Sequence, residues 1–171
     1  MIPHTLLINN FVDDHLMLFD VLKNSINWRG DIKSRKTASF GKPYNYSGIF
    51  YPETIIPEYL AQFIDKIEAI TGFIPNNVLI NYYHESESKM GFHSDDIEIL
   101  EENTGVVILS LGSSRIMRFK EKNNGNLLDM TLNAGSLFYM KDENQRLYLH
   151  SILPSPDPKA ERISVTFRRM K

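Results

Sequence analysis

From residue 76 to residue 168 one short apolar run follows another with no helical pattern between them, and this restricts the architecture more than any other feature. The runs are VLINYY, VVILSLG, RIMRFKE, LLDMTL, SLFYM, LYLHSIL and RISVTFR. Glycine and asparagine punctuate them at NNGN, NAG and GSS, and a proline-rich loop, PSPDPKAE, precedes the last. Such residues admit the backbone conformations that reverse a strand, so the spacing predicts an antiparallel sandwich or barrel. The N-terminal third is mixed. LLINNFV reads as a short strand, after which Asp13 or Asp14 caps a helix with Leu16, Phe19, Val21 and Leu22 on one side. A second helix opens at Pro57, carries Leu60, Phe63, Ile64 and Ile67 at helical spacing, and stops at Gly72. Both stripes are expected to pack outside the sheets, giving a mostly β (α+β) fold in one domain over residues 1–171.

The last run poses the functional question. Side chains alternate across a strand, so Arg162, Ser164, Thr166 and Arg168 share one face, and Ile163, Val165 and Phe167 share the other. Taken alone, this is either a half-solvated edge strand or a pair of guanidinium groups that grip the two ends of one dianion. Overall charge does not help, because the formal net charge is −2 with a pI near 6.2, without the basic excess that marks nucleic-acid or membrane binding. The absence of cysteine excludes disulfides, zinc ribbons and thiol nucleophiles. The opening MIPHTLLINNF has no signal-peptide pattern, and no apolar stretch is long enough to span a bilayer, so a soluble, cytoplasmic protein is expected.

Of five histidines, His4, His15 and His84 carry no pattern. His93 opens His-Ser-Asp; in an extended segment residues i and i+2 project to one side, so His93 and Asp95 can converge on a metal ion. His150 lies in the apolar strand LYLHSIL, where an imidazole needs a partner. Two histidines and a carboxylate form either the facial triad of Fe(II) oxygenases or a catalytic zinc site. The arginine strand separates these. Six residues of strand advance roughly 20 Å, and two inward-leaning arginines leave a gap of about 6–8 Å, close to the length of a five-carbon dicarboxylate. Arginine forks bind carboxylates bidentately, and Asn81 and Tyr83 share a face of VLINYY at the far wall. A 2-oxo acid that chelates iron at one end and meets arginine at the other accounts for all these residues; zinc hydrolysis leaves the arginines unexplained.

The order Asn81-x-Tyr83, His93-x-Asp95, His150 and Arg162-x5-Arg168 resembles the AlkB family of Fe(II)/2-oxoglutarate dioxygenases, nearest to the branch that repairs alkylated DNA and RNA bases. The likeness runs through almost the whole chain, from LINNFVDDHLMLFDVLKNSINW and the lid-like TASFGKPYNYSG to the final RISVTFR. The resemblance implies a double-stranded β-helix (jelly roll) with helices on one side, and Fe(II), 2-oxoglutarate and O2 as cofactor and co-substrates. It implies iron held by His93, Asp95 and His150, the distal carboxylate of 2-oxoglutarate by Arg162 and Tyr83, and its keto-acid end by Arg168 and Asn81. Ser164 stands where the family often has asparagine. In the lid, Tyr44, Tyr46 and Ser47 match positions that contact the base. Ile97 stands where the repair branch commonly carries an acidic residue, and Asp96 beside it is the acidic candidate for substrate contact. The implied reaction is oxidative demethylation of an alkylated base in DNA or RNA by a monomer; a hydroxylase of a small molecule is the alternative. Two basic clusters, Lys33/Arg35/Lys36 and Arg115/Arg118/Lys120, are either solvated faces or phosphate contacts.

Overall fold

The computed structural model describes residues 2–45 and 48–171. In chain order the elements are β1 (Thr5–Ile8), α1 (His15–Ser25), β2 (Lys36–Gly41), α2 (Glu58–Ala61), α3 (Ile64–Thr71), β3 (Asn77–Tyr83) and β4 (Met90–His93). They continue with β5 (Gly105–Gly112), β6 (Arg115–Glu121), β7 (Leu127–Leu132), β8 (Leu137–Lys141), α4 (Asp142–Leu147), β9 (Tyr148–Ile152) and β10 (Arg162–Arg168). Six strands form a major sheet in the order β1-β8-β5-β10-β3-β2, and four form a minor sheet, β4-β9-β6-β7. Every pairing between these strands is antiparallel. This is the jelly roll.

Two cores follow from alternation on the major sheet. Ile163, Val165 and Phe167 of β10, with Val78 and Ile80 of β3 and Val107 and Leu109 of β5, pack against the helices through Leu22, Leu60 and Ile67. The opposite faces contribute Leu79, Val106 and Ile108 to a second core, closed by Met117, Phe119, Tyr148 and Ile152 of the minor sheet. Strand β10 therefore lies between β5 and β3 with all seven residues buried. The half-solvated edge reading of RISVTFR is overturned, and its polar face must be satisfied inside the protein.

The expected α1 cap is Asp14, whose side chain accepts from Met17 N at 3.1 Å. The helix buries Leu18, Phe19 and Leu22, while Leu16 and Val21 are exposed, so the buried stripe is shifted from the expected one. The second helix is two: Phe63 N bonds to Leu60 O, one residue short of α spacing, and Gln62 turns its amide back to Tyr59 O. Gly72, at φ 81, ends α3 as expected. Strand β2 and helix α4 were not foreseen. The first has little apolar alternation because it is an edge strand, and the second lies inside a stretch of strand pattern.

Both basic clusters change meaning. Arg35 and Arg115 are buried. Arg115 donates to five backbone carbonyls, of Glu85, Ser86, Ser88, Leu153 and Ala160, at 3.0–3.2 Å. It pins the loop after β3 to the loops around β9 and β10. Arg118 forms a fork with Asp129 on the adjacent strand, both bonds 2.7 Å. Removing a buried charged donor leaves its carbonyls unpaired, so Arg115→Met is expected to destabilise the fold by about 3–5 kcal/mol. Urea unfolding measures this; a loss within the range of an ordinary surface substitution, about 0.5 kcal/mol, would contradict it.

Candidate active site

The polar residues of β3 and β10 meet histidines from the minor sheet in a partly open cavity between the two sheets. Asn81 pairs with Ser164 and Tyr83 with Arg162 across the β3–β10 ladder, so alternation delivers all four to one face. On the minor sheet His93 is the register partner of His150, and their ring centroids are 4.3 Å apart. Asp95 follows just beyond β4, and its Oδ2 lies 3.7 Å from His150 Nε2.

Hydrogen bonding sets the state of these groups. His93 Nδ1 lies 2.8 Å from Gly91 O. A carbonyl can only accept, so Nδ1 carries a proton and Nε2 is left as the nitrogen that can face a metal. Burial pushes the His150 imidazole down to about 4, against the opposing Asp95 carboxylate, so it is neutral at pH 7. Burial alone would raise the Asp95 carboxyl, but the Arg168 guanidinium, with His150 and His93, outweighs it and holds the group at about 2. Arg168 is the largest of these lowering influences and also donates to Asp95 Oδ1 at 2.6 Å. The backbone N of Asp95 donates to Gln145 Oε1 at 3.0 Å. Gln145 thus supports the site from α4, and no motif in its neighbourhood pointed to it.

Among the described residues no three histidine or carboxylate side chains are closed around a common point as they stand. His93, Asp95 and His150 are instead brought within reach of one another, with one Asp95 oxygen turned to Arg168. The donor set, two imidazoles and an ionised carboxylate, fits Fe(II).

Arg162 tests the fit of the co-substrate. It is wholly buried, its Nη2 donates to Ser110 Oγ at 2.9 Å, and its Cζ lies 5.2 Å from the Tyr83 ring centroid. Among the described residues its Nε and Nη1 have no hydrogen-bond partner. No carboxylate among the described residues pairs with it. An uncompensated buried charge costs about 3–5 kcal/mol, so the cavity is built to receive an anion there. A dicarboxylate fits, with the second guanidinium at the far end of the same strand.

The expected base-contacting residues separate. Tyr44 is buried, and its ring centroid lies 4.6 Å from Arg168 Cζ, against the arginine expected at the keto-acid end. Asp96 is exposed, caps the turn Ile97–Ile99 through a 2.9 Å bond to Glu98 N, and lines a separate surface groove with Lys42, Asn45 and Met170. Tyr46 and Ser47 lie outside the described residues.

The profile of the 2OG-Fe(II) oxygenase superfamily matches residues 20–168, and the chain belongs to that superfamily. Within it the chain is AlkB-like. It is 28% identical over 148 residues to the human DNA oxidative demethylase ALKBH2, covering 80% of this chain and 56% of that protein. It is 34% identical over 106 residues to the uncharacterized protein R406 of Acanthamoeba polyphaga mimivirus, covering 61% of this chain and 55% of that one. The structure of OsALKBH1 matches with a TM-score of 0.74 over 99% of both chains at 20% identity, so the fold is shared. The chain spans about half the length of the curated relatives it matches.

Proposed function

We propose that this protein is an Fe(II)/2-oxoglutarate-dependent dioxygenase that removes alkyl groups oxidatively from nucleobases in DNA or RNA, releasing an aldehyde (formaldehyde from a methyl), succinate and CO2. The observation that carries the reading is the wholly buried Arg162, with two nitrogens unpartnered among the described residues, in one cavity with His93, Asp95 and His150. In this reading His93 Nε2, His150 Nε2 and Asp95 hold iron. Arg162, Tyr83 and Ser110 hold the distal carboxylate of 2-oxoglutarate, and Arg168, Asn81 and Ser164 line its keto-acid end. Bound iron supplies oxygen activation and oxidation of a carbon attached to nitrogen; the protein positions the target and keeps water out. A duplex base must first be flipped out and held by stacking and edge contacts, the role proposed for Tyr46 and Ser47. The similarity to ALKBH2 supports a nucleic-acid substrate.

One observation favours a second reading, a hydroxylase of a free amino acid, nucleoside or natural product. Three arginines that could have tracked phosphates are spent internally, because Arg35 and Arg115 are buried and Arg118 is paired with Asp129. A panel of methylated oligonucleotides, nucleosides and amino acids, scored for formaldehyde release and for substrate gaining 16 mass units, separates the two. Formaldehyde from oligonucleotides that falls steeply as salt rises supports base repair. Stable hydroxylation of a free small molecule, with oligonucleotides untouched, overturns it.

A further inference from the structure

Arg35 stands just before β2, in a segment whose sequence reads as a solvated basic cluster, yet it is only 5% exposed. Its Nε donates to Asn81 Oδ1 at 2.8 Å, and its Nη1 to Ser34 Oγ at 3.3 Å. Asn81 is 3% exposed and sits mid-strand on β3, between Thr37 of β2 and Ser164 of β10. It lines the cavity.

The two ends of a carboxamide have nearly the same shape and opposite hydrogen-bonding character, so an unconstrained Asn81 could show the cavity either its acceptor or its donor. Arginine has donors only. The atom facing Arg35 must therefore be the oxygen, which leaves Nδ2 as the other end of the group. A donor there suits a carboxylate or keto oxygen, whereas the flipped amide would set an acceptor against an anion.

We infer that Arg35 is a positioning residue for the co-substrate: it fixes the Asn81 carboxamide so that Nδ2 donates to the keto-acid end of a 2-oxo dicarboxylate. The inference rests on the 2-oxoglutarate reading of the cavity. Arg35 acts through Asn81 and need not touch the ligand.

The test is calorimetric binding of 2-oxoglutarate with Mn(II) in place of iron, so that no turnover intervenes. Asn81→Ala and Arg35→Met are each expected to weaken binding about tenfold, the scale of losing a hydrogen bond to a charged acceptor. Arg35→Lys keeps a donor and should recover part of the loss. The decisive variant is the double replacement, which should bind no more weakly than Asn81→Ala alone, because Arg35 has nothing left to orient. Losses that multiply in the double variant would make Arg35 merely structural and overturn the inference, as would unchanged binding in Arg35→Met. Thermal unfolding of each variant checks that it is folded, and Arg35→Lys serves if Arg35→Met is not. Arg162→Ala is the control for the underlying reading. If wild-type protein fails to bind 2-oxoglutarate, or Arg162→Ala binds it as well as wild type, the dioxygenase reading itself fails. If Arg162→Ala loses binding while Arg35→Met keeps it, only the role of Arg35 is lost.

Discussion

Replacing His150 with alanine is expected to lower turnover by more than about 100-fold, beyond the loss usual for a residue that only supports a metal ligand. His150 is buried, neutral at pH 7, and aims Nε2 at the region shared with His93 and Asp95. Among the described residues its Nδ1 has no hydrogen-bond partner, and the Phe119 ring centroid lies 6.1 Å away, so the imidazole has little structural work to do beyond filling space. The variant should therefore remain folded by circular dichroism while iron binding collapses. The same donor set accepts other divalent ions, so Zn(II) or Co(II) should inhibit by occupying it. Full activity with zinc in the absence of iron would sink the dioxygenase reading.

Arg162→Ala should raise the 2-oxoglutarate concentration needed for half-maximal succinate formation at least about tenfold. Stranding a buried carboxylate costs about 2–5 kcal/mol, and 1.4 kcal/mol is one decade. In the proposed reading the distal carboxylate would depend on this arginine more heavily than the keto-acid end on Arg168, because iron would also hold that end. Arg162→Lys should recover only part of the loss, since a point charge cannot reproduce the fork. Stability should move the other way. Without co-substrate the buried guanidinium is a liability, so Arg162→Met should unfold no earlier than the wild type, which should gain more stability than the variant at any given 2-oxoglutarate concentration. An unchanged succinate curve for Arg162→Ala would mean that the cavity serves some other ligand.

Much of the candidate site is legible in the sequence. Metal-ligand types are few, and the i, i+2 spacing of His93 and Asp95 and the two arginines six residues apart on one strand face are local geometry, which needs only the period of an extended chain. The strand-rich architecture was equally local, written in apolar runs and turn residues. Alternation, however, says which residues share a face and not what covers that face. RISVTFR reads alike as an edge or a centre strand, and only the pairing of β10 with both β3 and β5 buried its charged side. Arg35 and Arg115 look like surface bases in sequence, but distant segments close over them: Asn81 lies 46 residues from Arg35, and the carbonyls of Leu153 and Ala160 lie 38 and 45 from Arg115. Gln145 came to support Asp95 from 50 residues away. Composition and period therefore determined the fold class, the candidate ligands and the shared face of the two arginines. Tertiary structure decided which charges are desolvated, and with them which serve the cavity and which serve the frame, because desolvation depends on neighbours remote in the chain that no local pattern encodes.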